Sequence, residues 1–402
     1  MPFSYQEMYE AQDGLSLVLT MDETVQHMLD KHLETAVVEH KVRNRAAGII
    51  MNVKSGEILA MTTKPDFDPN EAYEIADPVA KAALEAYQKG TEEYEKALNA
   101  ARFLQWNNKC ISEPYEPGSV FKIITLSTGL ETAAVLPSNH FYCPGYYVVN
   151  GVRKGCWKTA GHGDQDLAAA VRNSCNPAFM MVGQRIGANS FYDYFANFGL
   201  TEATGVDLPG EAIGAYHSKK ALSNPNDFEN SLTSCAFGQT FKVTPLQLIT
   251  AVAAAVNGGT LYEPHIVKQV LDSDGNIVQT IQPKAKRQVI SAETSAIVCQ
   301  MLETVVTEGS GKNAYIPGYR IGGKTGTSEK IDLYDQTGED RKILSFVGIA
   351  PMDDPEIACL VMLDEPTLVN EYGSTIAAPV VGSVLADVLP YLGMEKVYTQ
   401  EE

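Results

Sequence analysis

The run Pro117-Gly118-Ser119-Val120-Phe121-Lys122 constrains this 402-residue chain more than any other stretch. Pro and Gly break whatever precedes them, and an apolar run follows in Val120, Phe121, Ile123, Ile124 and Leu126. The pattern predicts a helix over Ser119–Leu136 that starts at the serine and enters the core. Lys122, three residues on, falls on the same face one turn below. A helix start offers unpaired N–H groups and the positive end of a dipole, and both favour a developing oxyanion. A serine hydroxyl is a poor nucleophile until a base removes its proton. Ser119 is the candidate nucleophile and Lys122 the candidate base. Free lysine titrates near about 10.4, so burial and a second cation such as Lys324 are needed to hold the amine neutral. Alone, S-x-x-K is a weak pattern, equally readable as a plain helix-start serine and a snorkelling lysine.

Two further patterns follow in order. Ser174-Cys175-Asn176 fits S-x-N, and Lys324-Thr325-Gly326-Thr327 fits K-T-G-T. Taken singly, the first reads as a turn before Pro177 and the second as a polar edge strand. Ser174 could relay a proton between Lys122 and a leaving amine, and Asn176 offers a donor and an acceptor for a peptide amide. A cation and two hydroxyls on a strand, Lys324, Thr325 and Thr327, suit a terminal carboxylate, and Gly326 lets a ligand backbone approach.

The ordered triplet S-x-x-K, S-x-N, K-T-G is the set shared by penicillin-binding proteins and class A β-lactamases. On these residues the chain resembles the transpeptidase domain of a class B penicillin-binding protein, elongation-type or sporulation-specific. The resemblance runs from about Leu15 to Gly393. Supporting matches are Gly161-His162-Gly163, Gly238-Gln239 and Val243-Thr244-Pro245-Leu246-Gln247. It implies the α+β penicilloyl-serine transferase fold: a five-stranded antiparallel sheet flanked by helices, an all-helical lobe, and a cleft between them. It also implies a peptidoglycan stem peptide ending in D-Ala-D-Ala, a Ser119 acyl-enzyme, and release of D-Ala. The amine of a neighbouring stem peptide then closes a cross-link, and β-lactam antibiotics trap the ester. By the same resemblance the N–H groups of Ser119 and Thr327 form the oxyanion hole. Domains are expected at 1–14 (a remnant of an N-terminal pedestal or linker), 15–395 (transpeptidase) and 396–402 (tail). An N-terminal anchor would hold the domain at the extracytoplasmic face of the membrane, beside a membrane glycosyltransferase. Competing readings are a D,D-carboxypeptidase, a β-lactamase, or a β-lactam receptor without catalytic turnover. Against the β-lactamase, the acidic residues between the second and third motifs, such as Asp207, Glu211, Asp227 and Glu229, carry no signature of a deacylating base.

Composition bounds these readings. The net charge of −19 argues against nucleic acid and against an anionic membrane surface. No run is apolar and long enough to span a bilayer. Strand signals at Leu15–Thr20, Ala46–Asn52 and Ile58–Thr62 bracket an Asp22-capped helix to Glu39. A helical middle precedes three late strands, Arg320–Ser328, Leu344–Ala350 and Ile357–Leu363, and Ser374–Tyr391 closes as a helix. The absence of β-α-β alternation argues for an antiparallel α+β sheet. Pro78–Leu98 reads as one or two exposed helices.

Seven cysteines exclude a fully paired disulfide framework within one chain. Cys143 and Cys156 flank a small hairpin turning at Asn150-Gly151, His162 stands between two glycines, and Cys175 is the middle of S-x-N. Three thiols and an imidazole match a closed, tetrahedral structural Zn2+ site, and some class B relatives are similar here with carboxylates at part of the site. A Cys143–Cys156 disulfide is the alternative. Cys110, Cys235, Cys299 and Cys359 read as incidental buried thiols.

Overall fold

The computed structural model describes residues 14–224, 228–330, 338–367 and 372–397. The segment expected as a pedestal remnant, 1–14, thus falls outside the described residues except for Gly14, and so does the tail beyond Val397.

The chain opens with β1 (Ser16–Leu19), α1 (Glu23–Glu39), β2 (Ala46–Asn52) and β3 (Ile58–Lys64). Asp22 caps α1 by accepting from the N–H groups of Thr24 and Val25. Two exposed helices follow, α2 (Pro78–Leu84) and α3 (Glu92–Trp106), then the single turn α4 (Lys109–Ser112). A 3₁₀ turn, Gly118–Phe121, leads into α5 (Lys122–Glu131). Next come β4 (His140–Cys143), β5 (Tyr146–Val149), β6 (Val152–Gly155), β7 (Gly163–Asp166), α6 (Leu167–Arg172), α7 (Asn176–Ile186) and α8 (Ala188–Asn197). The lobe continues with α9 (Lys219–Leu222), α10 (Phe228–Ala236) and α11 (Pro245–Val256). Outer strands β8 (Thr260–Tyr262), β9 (Val267–Leu271), β10 (Ile277–Thr280) and β11 (Ala285–Gln288) precede α12 (Ala292–Thr307). Strands β12 (Gly322–Glu329), β13 (Lys342–Ala350) and β14 (Ile357–Asp364) and the C-terminal helix Ala377–Tyr391 complete the fold.

The main sheet is antiparallel in the order β12-β13-β14-β2-β3. It is buried on both faces, and alternation along β14 shows why. Ile357, Cys359, Val361 and Leu363 pack against α1 and the C-terminal helix, while Ala358, Leu360 and Met362 face the helical lobe. This is the expected five-stranded α+β architecture. Inside the lobe every residue of α11 is buried. The match at Val243–Gln247 has a physical reason: Thr244 accepts from the Gln247 N–H, and the Gln247 side chain accepts from the Thr244 N–H. That capping box satisfies the orphan donors of a helix start that has no water to bond.

Three sequence expectations change. The helix after Ser119 ends at Glu131 rather than Leu136, where Ala133 takes a left-handed φ of 52°. The region 139–163 holds, besides the expected hairpin β5–β6, a ladder between β4 and β7 that pairs Cys143 with Gly163. α10 is an element absent from the sequence expectations, although Phe228, Leu232 and Cys235 fall at helical spacing.

β12 is an edge strand, and the turn carrying Ser119 is wedged between it and the loop after α10. The Gly118 N–H donates to the Gly238 carbonyl at 2.9 Å. Gly238 has φ 95°, and a Cβ there would lie 1.9 Å from the Gly118 oxygen. Gly238→Ala should therefore destabilise the domain by at least about 2 kcal/mol and slow any reaction at Ser119. Thermal unfolding and penicillin acylation measured together test this.

Candidate active site

The 3₁₀ turn brings Ser119 and Lys122 together. In that geometry side chains at i and i+3 eclipse, so the two lie more directly above one another than on an α-helix. Ser119 is half-buried and opens into a cleft of about 670 Å³, which Ser174, Asn176, Thr325 and Thr327 also line. Its hydroxyl makes no hydrogen bond with a described residue.

Lys122 is 1% exposed, which removes the snorkelling alternative. Its Nζ donates to the Ser174 carbonyl at 2.8 Å, the Ser174 Oγ at 3.2 Å and the Asn176 Oδ1 at 2.7 Å. Lys324 Nζ, also fully buried, donates to the same Ser174 Oγ at 2.8 Å. Four motif residues, Lys122, Ser174, Asn176 and Lys324, thus converge on one node. Ser174 holds it in a left-handed conformation, φ 51°, which a non-glycine residue rarely adopts and which turns hydroxyl and carbonyl together toward Lys122.

Burial lowers Lys122 to about 8. Burial, with Lys122 nearby, also pushes Lys324 well down. The sequence expectation gave Lys324 as a cause of the Lys122 shift. In the structure burial is what moves Lys122, and the mutual repulsion registers at Lys324. Two buried amines on one hydroxyl oppose each other's charge, so they compete for a proton.

Thr325 Oγ1 lies 3.3 Å from Ser310 Oγ, and Thr327 Oγ1 accepts from the Gly373 N–H at 3.3 Å. Gly326 makes room inward: a Cβ there would lie 2.3 Å from Ser345 Oγ and 3.1 Å from the Pro117 carbonyl. Its missing side chain lets the Ser119 turn seat on β12. The cleft also gathers residues that the motifs do not mark. Lys154 donates to Thr233 and Ser234 at 2.9 and 2.8 Å, and the Trp157 indole donates to the Asn173 carbonyl at 3.0 Å. Only the adjacency of Trp157 to Cys156 hinted at its place.

Asp207 accepts from the Ile266 and Val267 N–H groups, and Glu211 holds Thr204. Both carboxylates serve loops; the Asp227 and Glu229 side chains lie outside the described residues.

Cys143, Cys156, His162 and Cys175 come together with their ligand atoms within 4.8 Å of one another. The β4–β7 ladder and the bond from the His162 N–H to the Cys143 carbonyl bring the imidazole beside the thiols. The Cys156 N–H, bonded to the Gly145 carbonyl, returns the hairpin to the same place. All seven cysteines are free, so the alternative Cys143–Cys156 disulfide is absent. The separation of 3.6 Å between Cys156 Sγ and His162 Nδ1 equals the edge of a tetrahedron with metal–sulfur and metal–nitrogen bonds of about 2.3 and 2.1 Å. His162 Nε2 is buried with no partner among the described residues. Cys156 and Cys175 share a hydrogen bond that holds the Cys156 thiol low and pushes the Cys175 thiol up. The cluster can chelate a metal.

No helix among the described residues is long and apolar enough to cross a membrane.

Residues 46–386 match the profile of the penicillin binding protein transpeptidase domain. Over 404 aligned residues the chain is 40% identical to stage V sporulation protein D of Bacillus subtilis, covering 100% of this chain and 58% of that protein. It is 30% identical to penicillin-binding protein PbpB of Mycolicibacterium smegmatis, covering 91% and 53%. The chain therefore spans about half the length of the curated relatives it matches. Among solved structures, penicillin binding protein 3 of Mycobacterium tuberculosis complexed with ampicillin superposes with a TM-score of 0.80 at 27% identity, covering 98% of this chain and 82% of that one.

Proposed function

The chain belongs to the penicillin-binding protein transpeptidase family, and on that premise we propose that it is a serine D,D-transpeptidase that cross-links peptidoglycan stem peptides and is acylated by β-lactams. The observation that carries this is the buried node beside Ser119, where Lys122 and Lys324 both bond Ser174. Neutral Lys122 takes the Ser119 proton as Oγ attacks the D-Ala-D-Ala carbonyl. The N–H groups of Ser119 and Thr327 receive the oxyanion. Ser174 passes the proton from Lys122 to the departing D-Ala amine, and the amine of a second stem peptide then takes the ester carbonyl. Asn176 holds the donor's backbone amide. Lys324, Thr325 and Thr327 hold the donor's terminal carboxylate, and that negative charge returns the shared proton to Lys324 and leaves Lys122 neutral.

We assign residues 15–395 to this domain and place it at the extracytoplasmic face of the cell membrane, where its substrate lies. An anchor and a membrane glycosyltransferase partner fit the greater length of the relatives. The Cys143, Cys156, His162 and Cys175 set is read as a structural Zn2+ site. Four protein ligands leave no open position, so the ion holds residues rather than reacting. By fixing Cys175 it fixes Ser174 and Asn176 on either side.

Purified protein given a donor ending in D-Ala-D-Ala and an amine acceptor should yield the amide-linked product by mass spectrometry. Hydrolysed donor alone, at every acceptor concentration, would favour the D,D-carboxypeptidase.

A further inference from the structure

A second cavity, of about 790 Å³, lies at the C-terminal end of β12. Tyr115, Ile343 and Met362 give it apolar wall, and Arg43, Lys330 and Arg341 are among its cations. Its acids Asp364 and Glu365 are already committed: Lys109 and Lys330 bond Asp364 at 2.8 and 2.6 Å, and Lys330 and Arg341 bond Glu365 at 2.6 and 2.7 Å. Those pairs hold the wall rigid and cancel much of its charge.

Glu329 differs. It is exposed, it lines both this cavity and the Ser119 cleft, and its carboxylate has no partner among the described residues. Lys342 stands directly across the ladder from it but pairs with Asp340 at 3.1 Å. The remaining acids of the lining, Glu113 and Glu116, bond Lys109 and the Thr240 N–H, so among the described residues Glu329 is the exposed acid that both chambers share.

The transpeptidase reading needs a second substrate, and this inference rests on that reading. The acceptor must present a primary amine, which is an ammonium near neutral pH, on a peptide that also carries carboxylates. We propose that the second cavity seats this acceptor, with its ammonium drawn to Glu329 and its carboxylates toward Arg43 at the rim. Arg43 is half-exposed and only loosely paired, with Glu339 at 3.8 Å. The ammonium gives one proton to water. The neutral amine attacks the Ser119 ester, the new C–N bond forms as the C–Oγ bond breaks, and the second proton passes through the lysine node to Oγ. Glu329 binds and orients; it does not enter the bond changes.

The test reads the partition of a preformed acyl-enzyme between transfer and hydrolysis, which removes the acylation rate from the comparison. Two acceptors are used: a short peptide with a cationic primary amine, and hydroxylamine, which is uncharged at pH 7.5. In Glu329→Gln the cationic acceptor should need about tenfold higher concentration for half-maximal transfer, consistent with loss of one charge-assisted contact. Glu329→Asp should recover part of it, and hydroxylamine should be affected far less. Equal partition in variant and wild type with the cationic acceptor overturns the assignment. So does an equal loss with both acceptors, which would mean a merely structural role. Wild-type protein that forms no acyl-enzyme would instead refute the transpeptidase reading beneath it.

Discussion

Replacing Lys122 with methionine is expected to slow acylation by penicillin about 10²- to 10⁴-fold, measured as the rate at which the intact-mass adduct appears. Methionine fills much of the volume of the lysine stem, so the core around Phe121 and Ile123 keeps its packing. What disappears is the amine that bonds Ser174 and Asn176. The same amine sets a pH signature. Burial lowers it to about 8, and only its neutral form can accept the Ser119 proton. Acylation by wild-type protein should therefore rise with pH through this range as the ammonium is lost. The methionine variant should lack that limb. A variant that acylates at close to the wild-type rate, with the limb intact, would remove Lys122 from the role of base.

Metal removal is expected to have the second large effect. Protein purified without added metal should contain about one zinc per chain. An ion present at 1,000 times its dissociation constant contributes about 4 kcal/mol to folding, so chelation should lower the unfolding temperature markedly. Cys175→Ala should do the same. Acylation should fall in both cases, because Cys175 sits between the two residues that bond Lys122 and is the residue before α7. Ser174 keeps its left-handed φ only while its surroundings enforce it. Stability and acylation falling together in proportion to zinc lost is the expected pattern. Metal-free protein acylating at full rate would dissociate the cluster from the site.

Much of this arrangement is legible in sequence because it is local. Strands β2, β13 and β14 carry doubly buried apolar runs and β3 alternates, whereas the pairing of β14 with β2, far apart in the chain, is not encoded in any local pattern. The cysteine cluster was readable because a two-residue turn at Asn150-Gly151 folds Cys156 back on Cys143. Less legible were contacts made across long separations. Lys154 reaching Thr233 and Ser234, Ser310 beside Thr325, and Gly373 bonded to Thr327 depend on how α10, the segment after α12 and the segment after β14 close over the cleft. No periodicity encodes those distances. Burial is the other quantity a motif leaves open. S-x-x-K gives the spacing of Lys122 from Ser119, but its displacement toward neutrality comes from the complete enclosure by α7 and the Ser174 turn. The sheet-end cavity was equally hidden, since Glu329, Arg43 and Asp364 come from three separate parts of the chain.

The central claim is that Ser119 becomes esterified. Incubation with penicillin, followed by intact-mass measurement and peptide mapping, tests it most directly. One adduct per chain, on the peptide that contains Ser119 and absent from Ser119→Ala, is the predicted result. An adduct that persists in Ser119→Ala, or maps to another peptide, would contradict the account.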